Sequence, residues 1–429
     1  MDSSSGIVKE EEKEKKQVIV IPRWYLQGKI AKRAEEEEKK KNNTIINTTN
    51  YQDYQLKLHQ FGSKYILSND HLLFRSSNPL ITQFVKEHVL TKKEFPTKQE
   101  GFTKFAILGE AVVYQTLAPN YFVVKTQKQQ HIQYQMKDNG LTCIQIFWCE
   151  NYNEHTPVVF FIPSLTAHHA HFTTLIQDIV DRLKWIVCCV NTRFHHCPSP
   201  TPLFHICGSD EDVDYVFHQV KALFPTSPFF ILGVSMGGSI ATRYLGKYKI
   251  GPDKIVAGAT ICSPLAGQDV KIDNPMFDAL LMKTIRDLYV EPCKKMFFEQ
   301  PNRVGVERYI KFQKAKTSHD LVYTNGEMFL EGTREDMDRI YDGSNFIHNL
   351  QIPLLMITSD DDEIVTSTYK TQSSVLNSAF SGLLHTKAGQ HCIYRNSAGT
   401  AFSTINWAER VALDFFEYVY KQYFVSNNK

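Results

Sequence analysis

The sequence lacks the features that would place it in several broad classes of protein. It contains no apolar run of about 18 residues or more, so we expect no membrane-spanning helix, although contact with a membrane surface stays open. Its N-terminus carries neither a secretory signal nor the composition of a transit peptide. Acidic and basic residues nearly balance, at a net charge of +2, and no basic stripe occurs, so we expect no nucleic-acid partner.

The spacing of the cysteines also shows no pattern typical of disulfide pairing. The nine cysteines form no Cys-x-x-Cys pair and are scattered along the chain. Such an odd, irregular set is typical of reduced thiols rather than of a disulfide framework. Together with the missing signal, it predicts a cytoplasmic protein.

Residues 1–60 differ in composition from the rest of the chain. Mixed-charge runs at Lys9–Lys16 and Glu35–Lys41 flank few apolar side chains. Little apolar surface is available to offset the entropy of ordering, so we expect a disordered tail or a single exposed helix. The alternative is an amphipathic segment near Val18–Pro22 that touches a membrane or a partner. Residues 61–429 have the apolar density of one large folded domain.

Continuous apolar runs alternate with helical patterns in that domain. Short apolar runs are typical of strands buried on both faces of a parallel sheet, and the alternation predicts a mostly parallel sheet flanked by helices. The predicted strands are Asn120–Lys125, Gln130–Met136, Thr142–Trp148, Val158–Ile162, Trp185–Val190, Phe229–Leu232, Lys254–Ile261, Ile352–Thr358 and Gly382–Thr386. The predicted helices include Pro79–Leu90, Phe172–Leu183, a helix from Ser209 to about Phe224, and Ala408–Phe424.

A helical insertion, about residues 275–350, interrupts this alternation. Phe277, Leu281 and Leu288 are among the apolar residues that recur there at helical spacing. In an enzyme built on a sheet, such an insertion often forms a lid over the site. The same spacing fits helices that simply pack one face against the core, and the two interpretations are compatible.

The sequence Gly233-Val234-Ser235-Met236-Gly237 lies between an apolar strand and a helical pattern. This order is typical of a nucleophile elbow, in which a sharp turn holds a serine hydroxyl at the end of a strand. Ser235 is therefore the predicted nucleophile. The backbone N–H of Met236, at the start of the helix, is a predicted donor to an oxyanion.

A serine hydroxyl needs a base to take its proton and an acid to orient that base. Asp360, Asp361 and Asp362 follow the predicted strand that begins at Ile352, and His391 lies on a later loop. The order serine, aspartate, histidine is the order that this kind of sheet enzyme uses. The pattern itself leaves open which of the three aspartates is the partner.

Several segments match the pattern of a known family, namely Gly109–Thr116, Lys137–Trp148, Asn191–Arg193, Leu232–Gly246 and Ile352–Asp362. On these segments the chain resembles the α/β-hydrolase superfamily and, within it, the family-4 esterases, from about residue 105 to the C-terminus. The resemblance implies the α/β-hydrolase fold with a lid-like helical insertion. It also implies the triad Ser235, His391 and Asp362, the second aspartate of the family's pair being the acid.

The resemblance further implies that Leu165 supplies the second oxyanion donor. The family's loop reads Pro/His-Gly-Leu-Thr-Gly-Gly, whereas this chain has Pro163-Ser164-Leu165-Thr166-Ala167-His168. Three glycines are thus replaced. Phe194 and Gln390 also stand where the family has glycine.

The function implied by the resemblance is hydrolysis of carboxylic esters, with an acylglycerol or another lipid ester as substrate and no cofactor. A non-catalytic binding protein is the alternative that the altered loop favours. Acyl transfer to an alcohol or thiol would use the same triad and is a further alternative.

Histidines and cysteines cluster in two predicted loops at the same edge of the sheet. They are His168, His169, His171, His195, His196, Cys197, His205 and Cys207. Imidazole and thiolate are zinc ligands, but the spacing matches no established zinc pattern, and the hydrolase chemistry requires no metal. We therefore expect these residues to line the mouth of the site or to face solvent, and we predict no metal.

Overall fold

The computed structural model describes residues 19–21, 65–68, 71–98 except 93, 123–395 with short gaps, and 405–425. The gaps are residues 127, 197, 266–268, 271, 273, 300–303, 331–333 and 366–373. Apart from Ile19–Ile21, the expected tail of residues 1–60 lies outside the described residues. The Gly109–Thr116 segment also lies outside them.

The strands are β1 Ile19–Ile21, β2 Tyr65–Ser68, β3 Leu72–Ser76, β4 Lys128–Gln135, β5 Leu141–Trp148, β6 Val158–Ile162, β7 Ile186–Asn191, β8 Phe229–Val234, β9 Ala257–Ile261, β10 Leu354–Ser359 and β11 Ser381–Thr386. The α-helices are α1 Pro79–Phe84, α2 Thr173–Asp178, α3 Asp210–Leu223, α4 Met236–Lys247, α5 Pro275–Ile285, α6 Glu291–Glu299, α7 Val304–Lys314, α8 Ser318–Leu330, α9 Arg334–Tyr341 and α10 Trp407–Tyr420. Four of these helices continue into wider π-helical turns, Val85–Val89, Ile179–Leu183, Arg286–Val290 and Lys421–Val425. Short 3-10 turns are His169–Phe172, Gly343–Asn345 and Ile347–Asn349.

The described strands form one sheet in the order β1-β4-β5-β7-β6-β8-β9-β10-β11-β3-β2. All neighbours from β7 to β11 run parallel, while β4, β5, β3 and β2 add antiparallel pairs toward the two edges. The mostly parallel sheet flanked by helices is therefore confirmed. Because parallel strands end at one edge, the loops after β6, β7, β8, β9, β10 and β11 meet there.

The centre of the sheet forms the main apolar core. Every residue of β6, β7, β8, β9 and β10 is buried, as the continuous apolar runs predict for strands covered on both faces. The predicted strand Val158–Ile162 has these same bounds in the structure. The other central strands begin or end within three residues of their predicted limits.

Prediction was less successful at the outer strands. The predicted strand Asn120–Lys125 is wrong for the residues described, since 123–126 are not in a strand. Strands β2 and β3 were not predicted, although Leu72–Ser76 alternates between buried and half-buried positions. These strands are short. β3 pairs with β11, about 300 residues later in the chain, and β2 reaches the sheet only through its pairing with β3, so no local pattern specifies their place in the sheet.

The insertion is helical, as expected, and forms a second apolar cluster with the segment after β7. The ring of Phe204 packs 5.2 Å from that of Tyr289 and 5.5 Å from that of Phe312, centroid to centroid. The buried amide of Asn325 on α8 accepts from the Ile206 N–H at 2.8 Å and donates to the Phe204 carbonyl at 2.9 Å. The insertion is thus fastened to a loop at the edge of the sheet where Ser235 lies.

Among the described helices, none combines the length and the apolar character that crossing a membrane requires.

Candidate active site

Ser235 occupies the turn between β8 and α4. Its φ of 52° and ψ of −123° lie in a region that non-glycine residues seldom adopt. Its N–H donates to the Ile261 carbonyl at 2.7 Å, and its carbonyl accepts from the Gly238 N–H at 2.9 Å. These bonds hold the strained turn between the end of β9 and the first turn of the helix.

Two glycines allow this turn to form. A Cβ at Gly233 would lie 2.5 Å from the Gly237 carbonyl oxygen, and a Cβ at Gly237 would lie 2.1 Å from the Ile162 carbonyl oxygen. Both obstacles are backbone atoms, which cannot rotate away. The close approach at Gly237 also brings the end of β6, and so the start of the loop that contains Leu165, against the first turn of α4.

His391 lies between Ser235 and Asp362. Its Nε2 is 2.9 Å from the Ser235 Oγ, and its Nδ1 is 2.9 and 3.0 Å from the two carboxylate oxygens of Asp362. The Asp362 carboxylate also accepts the N–H groups of Ile364 and Val365 at 2.9 and 2.8 Å, which fixes its orientation. The structure thus brings the three predicted residues together in one hydrogen-bonded chain.

The electrostatics of the pair follow from its geometry. Burial lowers the pKa of His391, but the charge of Asp362 and the hydrogen bond to it outweigh burial and raise that pKa from 6.5 to about 9. With Nδ1 donating to the carboxylate, the neutral ring presents the lone pair of Nε2 to the Ser235 hydroxyl. The arrangement can therefore accept the proton of Ser235 and stabilise the resulting imidazolium.

The other two aspartates have different partners. Asp360 binds the His385 ring at 2.6 Å and the Lys387 ammonium at 2.9 Å. Asp361 accepts the N–H of Gln390 at 2.8 Å. The structure places Asp362 against His391 and uses its two neighbours to hold surrounding backbone and side chains.

The two candidate oxyanion donors lie on either side of the elbow. Met236 is the first residue of α4, where the backbone N–H groups have no intrahelical acceptor. Leu165 lies in a turn that the Ala167 N–H closes on the Ser164 carbonyl at 3.1 Å, and Thr166 there has a φ of 63°. Within the described part of the chain, neither the Met236 N–H nor the Leu165 N–H donates to a backbone carbonyl.

Sequence reasoning missed the residues that support the histidine loop. The Cys262 thiol, directly after β9, accepts the Cys392 N–H at 3.1 Å. The Ser359 hydroxyl donates to the Gln390 carbonyl at 3.1 Å. Both positions directly follow or end a parallel strand, so their place at the same edge was the available signal.

Arg193, from a segment that carries the family resemblance, is structural. Its guanidinium binds Asp212 at 2.6 and 2.7 Å and Asp138 at 2.6 Å, and it is only 6% exposed. These bonds tie the loop after β7 to α3 and to the β4–β5 turn. The neighbouring His195 ring lies beside the Tyr289 hydroxyl of the insertion, and burial lowers the pKa of His195 to about 3.

The remaining histidines and cysteines of the two loops separate into different environments. His168, His169 and His196 lie together, with His131 and His171 beside them. His205 is half-buried, and desolvation lowers its pKa, whereas Cys207 lies near Arg243 and desolvation raises its pKa to about 11. Cys197 lies outside the described residues.

Comparison with known proteins gives one family model that matches part of the chain, and several relatives. A family model described as "Serine aminopeptidase, S33" (Hydrolase_4) matches residues 209–391, a segment that contains Ser235, Asp362 and His391. "Phospholipase ABHD3" of Bos taurus is 24% identical over 350 residues, which cover 73% of this chain and 80% of that protein. "Monoacylglycerol lipase" of Saccharomyces cerevisiae is 20% identical over 319 residues, covering 70% and 67%. An esterase structure from Pyrococcus furiosus, Pf2001, is 15% identical, covers 68% of this chain and 91% of that chain, and has a TM-score of 0.41.

Proposed function

We propose that this protein, a hydrolase of the α/β-hydrolase superfamily, cleaves carboxylic esters of lipids with Ser235 as its nucleophile. The superfamily assignment follows from the fold and from the family match over residues 209–391. The observation that carries the proposal is the 2.9 Å contact between the Ser235 Oγ and Nε2 of His391, with Asp362 behind the ring.

In the proposed reaction, His391 takes the proton of Ser235 as the hydroxyl attacks the ester carbonyl. Asp362 stabilises the imidazolium that forms, and the backbone N–H groups of Met236 and Leu165 bind the negative oxygen of the tetrahedral intermediate. The imidazolium then protonates the leaving alcohol. Water, deprotonated by His391, releases the acid from the serine ester and restores the free hydroxyl.

Two observations support a lipid substrate. The similar proteins named above include a phospholipase and a monoacylglycerol lipase. The helical insertion is rich in apolar side chains, and Met276, Leu280, Phe298 and Ile310 expose between 43% and 67% of their surface. We propose that the insertion acts as a lid and that this exposed surface contacts a membrane from one side.

The proposed compartment is the cytoplasm. Every cysteine of the described residues carries a free thiol. This agrees with a reducing environment.

A panel of substrates tests the proposal. It contains acylglycerol, phospholipid and simple esters of graded chain length, together with an aminoacyl anilide, because the matching family model is described as an aminopeptidase. Ser235→Ala should lose several orders of magnitude in kcat on every ester that the wild type cleaves. Ser239→Ala is the matched control, because Ser239 lies in the first turn of α4, close to Ser235 in the chain, but its hydroxyl donates to the Pro264 carbonyl.

Ester hydrolysis that survives intact in a clean Ser235→Ala preparation contradicts the mechanism. Cleavage of the anilide alone contradicts the substrate class. Binding of lipid without turnover supports the second candidate, a non-catalytic binding protein, which the three replaced glycines of the Leu165 loop favour. Transfer of the acyl group to an added alcohol in preference to water would indicate the acyltransferase alternative.

A further inference from the structure

Three histidines outside the catalytic arrangement converge at the edge of the sheet. His168 and His169 follow β6, and His196 follows the neighbouring parallel strand β7. One ring nitrogen from each lies within 4.8 Å of the others. The ring centroids are 4.5 Å apart for His169 and His196, and 5.2 Å apart for each pair that includes His168.

The spacing is close to what a tetrahedral metal site needs. Zinc binds imidazole nitrogens at about 2.0–2.1 Å, which separates neighbouring ligand nitrogens by about 3.3 Å. Small rotations of exposed or half-buried side chains cover the remaining distance, since His196 is exposed and the other two are half-buried. Three imidazoles leave a fourth position for water.

The type of ligand favours a borderline divalent ion. All three candidate ligands are imidazoles, and a neutral imidazole keeps a lone pair on one ring nitrogen for coordination. Borderline divalent ions such as Zn²⁺ prefer imidazole, whereas Mg²⁺ and Ca²⁺ prefer oxygen.

Asn191 orients the His169 side chain. Its amide nitrogen lies 3.2 Å from Nδ1 of His169, and its oxygen accepts the backbone N–H of His169 at 3.1 Å.

We propose that His168, His169 and His196 form a zinc-binding site that fastens the loop of Leu165 to the loop after β7. His168 stands where the related family pattern has a glycine, so one of the three ligands arises from the substitutions that alter this loop. A bound ion would hold the altered loop in place from outside the catalytic centre.

Zinc binding by the untagged full-length protein tests the site. Isothermal titration with zinc chloride should show one equivalent bound, and magnesium chloride should show none. His196→Gln and His169→Gln should each weaken zinc binding by about tenfold or more. The matched control is His155→Gln, which removes a histidine with a 71% exposed side chain and should leave zinc affinity unchanged. X-ray absorption should find nitrogen ligands at about 2.0 Å.

Three results overturn the proposal: no zinc bound at millimolar concentration, unchanged affinity in His196→Gln, or sulfur ligands in the absorption spectrum. His196 is exposed, so its variant answers the question even if His169→Gln fails to fold. Ser235→Ala should bind zinc like the wild type. The outcome for zinc therefore stays separate from the outcome for ester hydrolysis.

Discussion

Replacing Asp362 with asparagine tests how the carboxylate acts on His391. In the wild type, Asp362 outweighs burial and raises the pKa of His391 from 6.5 to about 9. At 1.36 kcal/mol per unit, the imidazolium is stabilised by about 3 kcal/mol. Only the neutral ring accepts the Ser235 proton, so kcat/KM should rise with pH up to about 9 and be about a hundredfold below its plateau at pH 7.

Asp362→Asn removes the negative charge beside His391 and leaves the ring buried. Burial alone lowers the pKa of His391. The acidic limb of the kcat/KM profile should therefore move below pH 6.5, while the plateau falls on the order of 10⁴-fold because the tautomer and the imidazolium lose their support. Asp361→Asn is the matched control, since an amide oxygen can still accept the Gln390 N–H. The activation free energy for kcat/KM should rise by only about 1 kcal/mol in this variant. A larger loss in Asp361→Asn, or an unmoved limb in Asp362→Asn, refutes the reasoning.

Three further predictions concern the framework and the surface. Arg193→Ala removes the buried partner of two carboxylates and should lower the free energy of unfolding by about 3 kcal/mol in urea denaturation, an unchanged midpoint being the contrary result. Gly237→Ala places a Cβ 2.1 Å from the Ile162 carbonyl, so it should cost about 1–3 kcal/mol or more of stability and reduce kcat, and full activity would contradict the elbow geometry. Leu280→Glu should weaken sedimentation with anionic phospholipid vesicles, whereas Leu223→Glu, a similarly exposed leucine on α3, should not; equal effects would remove the proposed membrane surface.

The sequence predicted the centre of the fold better than its margins. Val158–Ile162 could be recognised because a strand buried on both faces must be apolar throughout. β3 and β2 were not predicted because β3 joins the sheet by pairing with β11, about 300 residues later, and β2 joins it only through β3. Of the predicted strand Asn120–Lys125, the described residues 123–125 are not in a strand, since a local pattern alone does not supply a neighbouring strand.

Some residues of the candidate site could likewise be predicted from local sequence, and others could not. The elbow has a local signature, because only small residues fit the turn at Gly233 and Gly237. The choice of Asp362 over Asp361 rested on family resemblance, since both follow the same strand. Cys262 had no local signal, because its contact with the Cys392 backbone joins the ends of two distant segments. The two histidine-rich loops were predicted to lie at the same edge of the sheet, but their direct contact depends on β6 and β7 being neighbours.

The most direct measurement of the central claim is covalent labelling with a fluorophosphonate, followed by mass spectrometry of the peptides. One adduct per molecule is expected, located on Ser235, with labelling abolished by His391→Ala and retained by Ser239→Ala. An unlabelled wild-type protein, or an adduct on a different serine, would contradict the account.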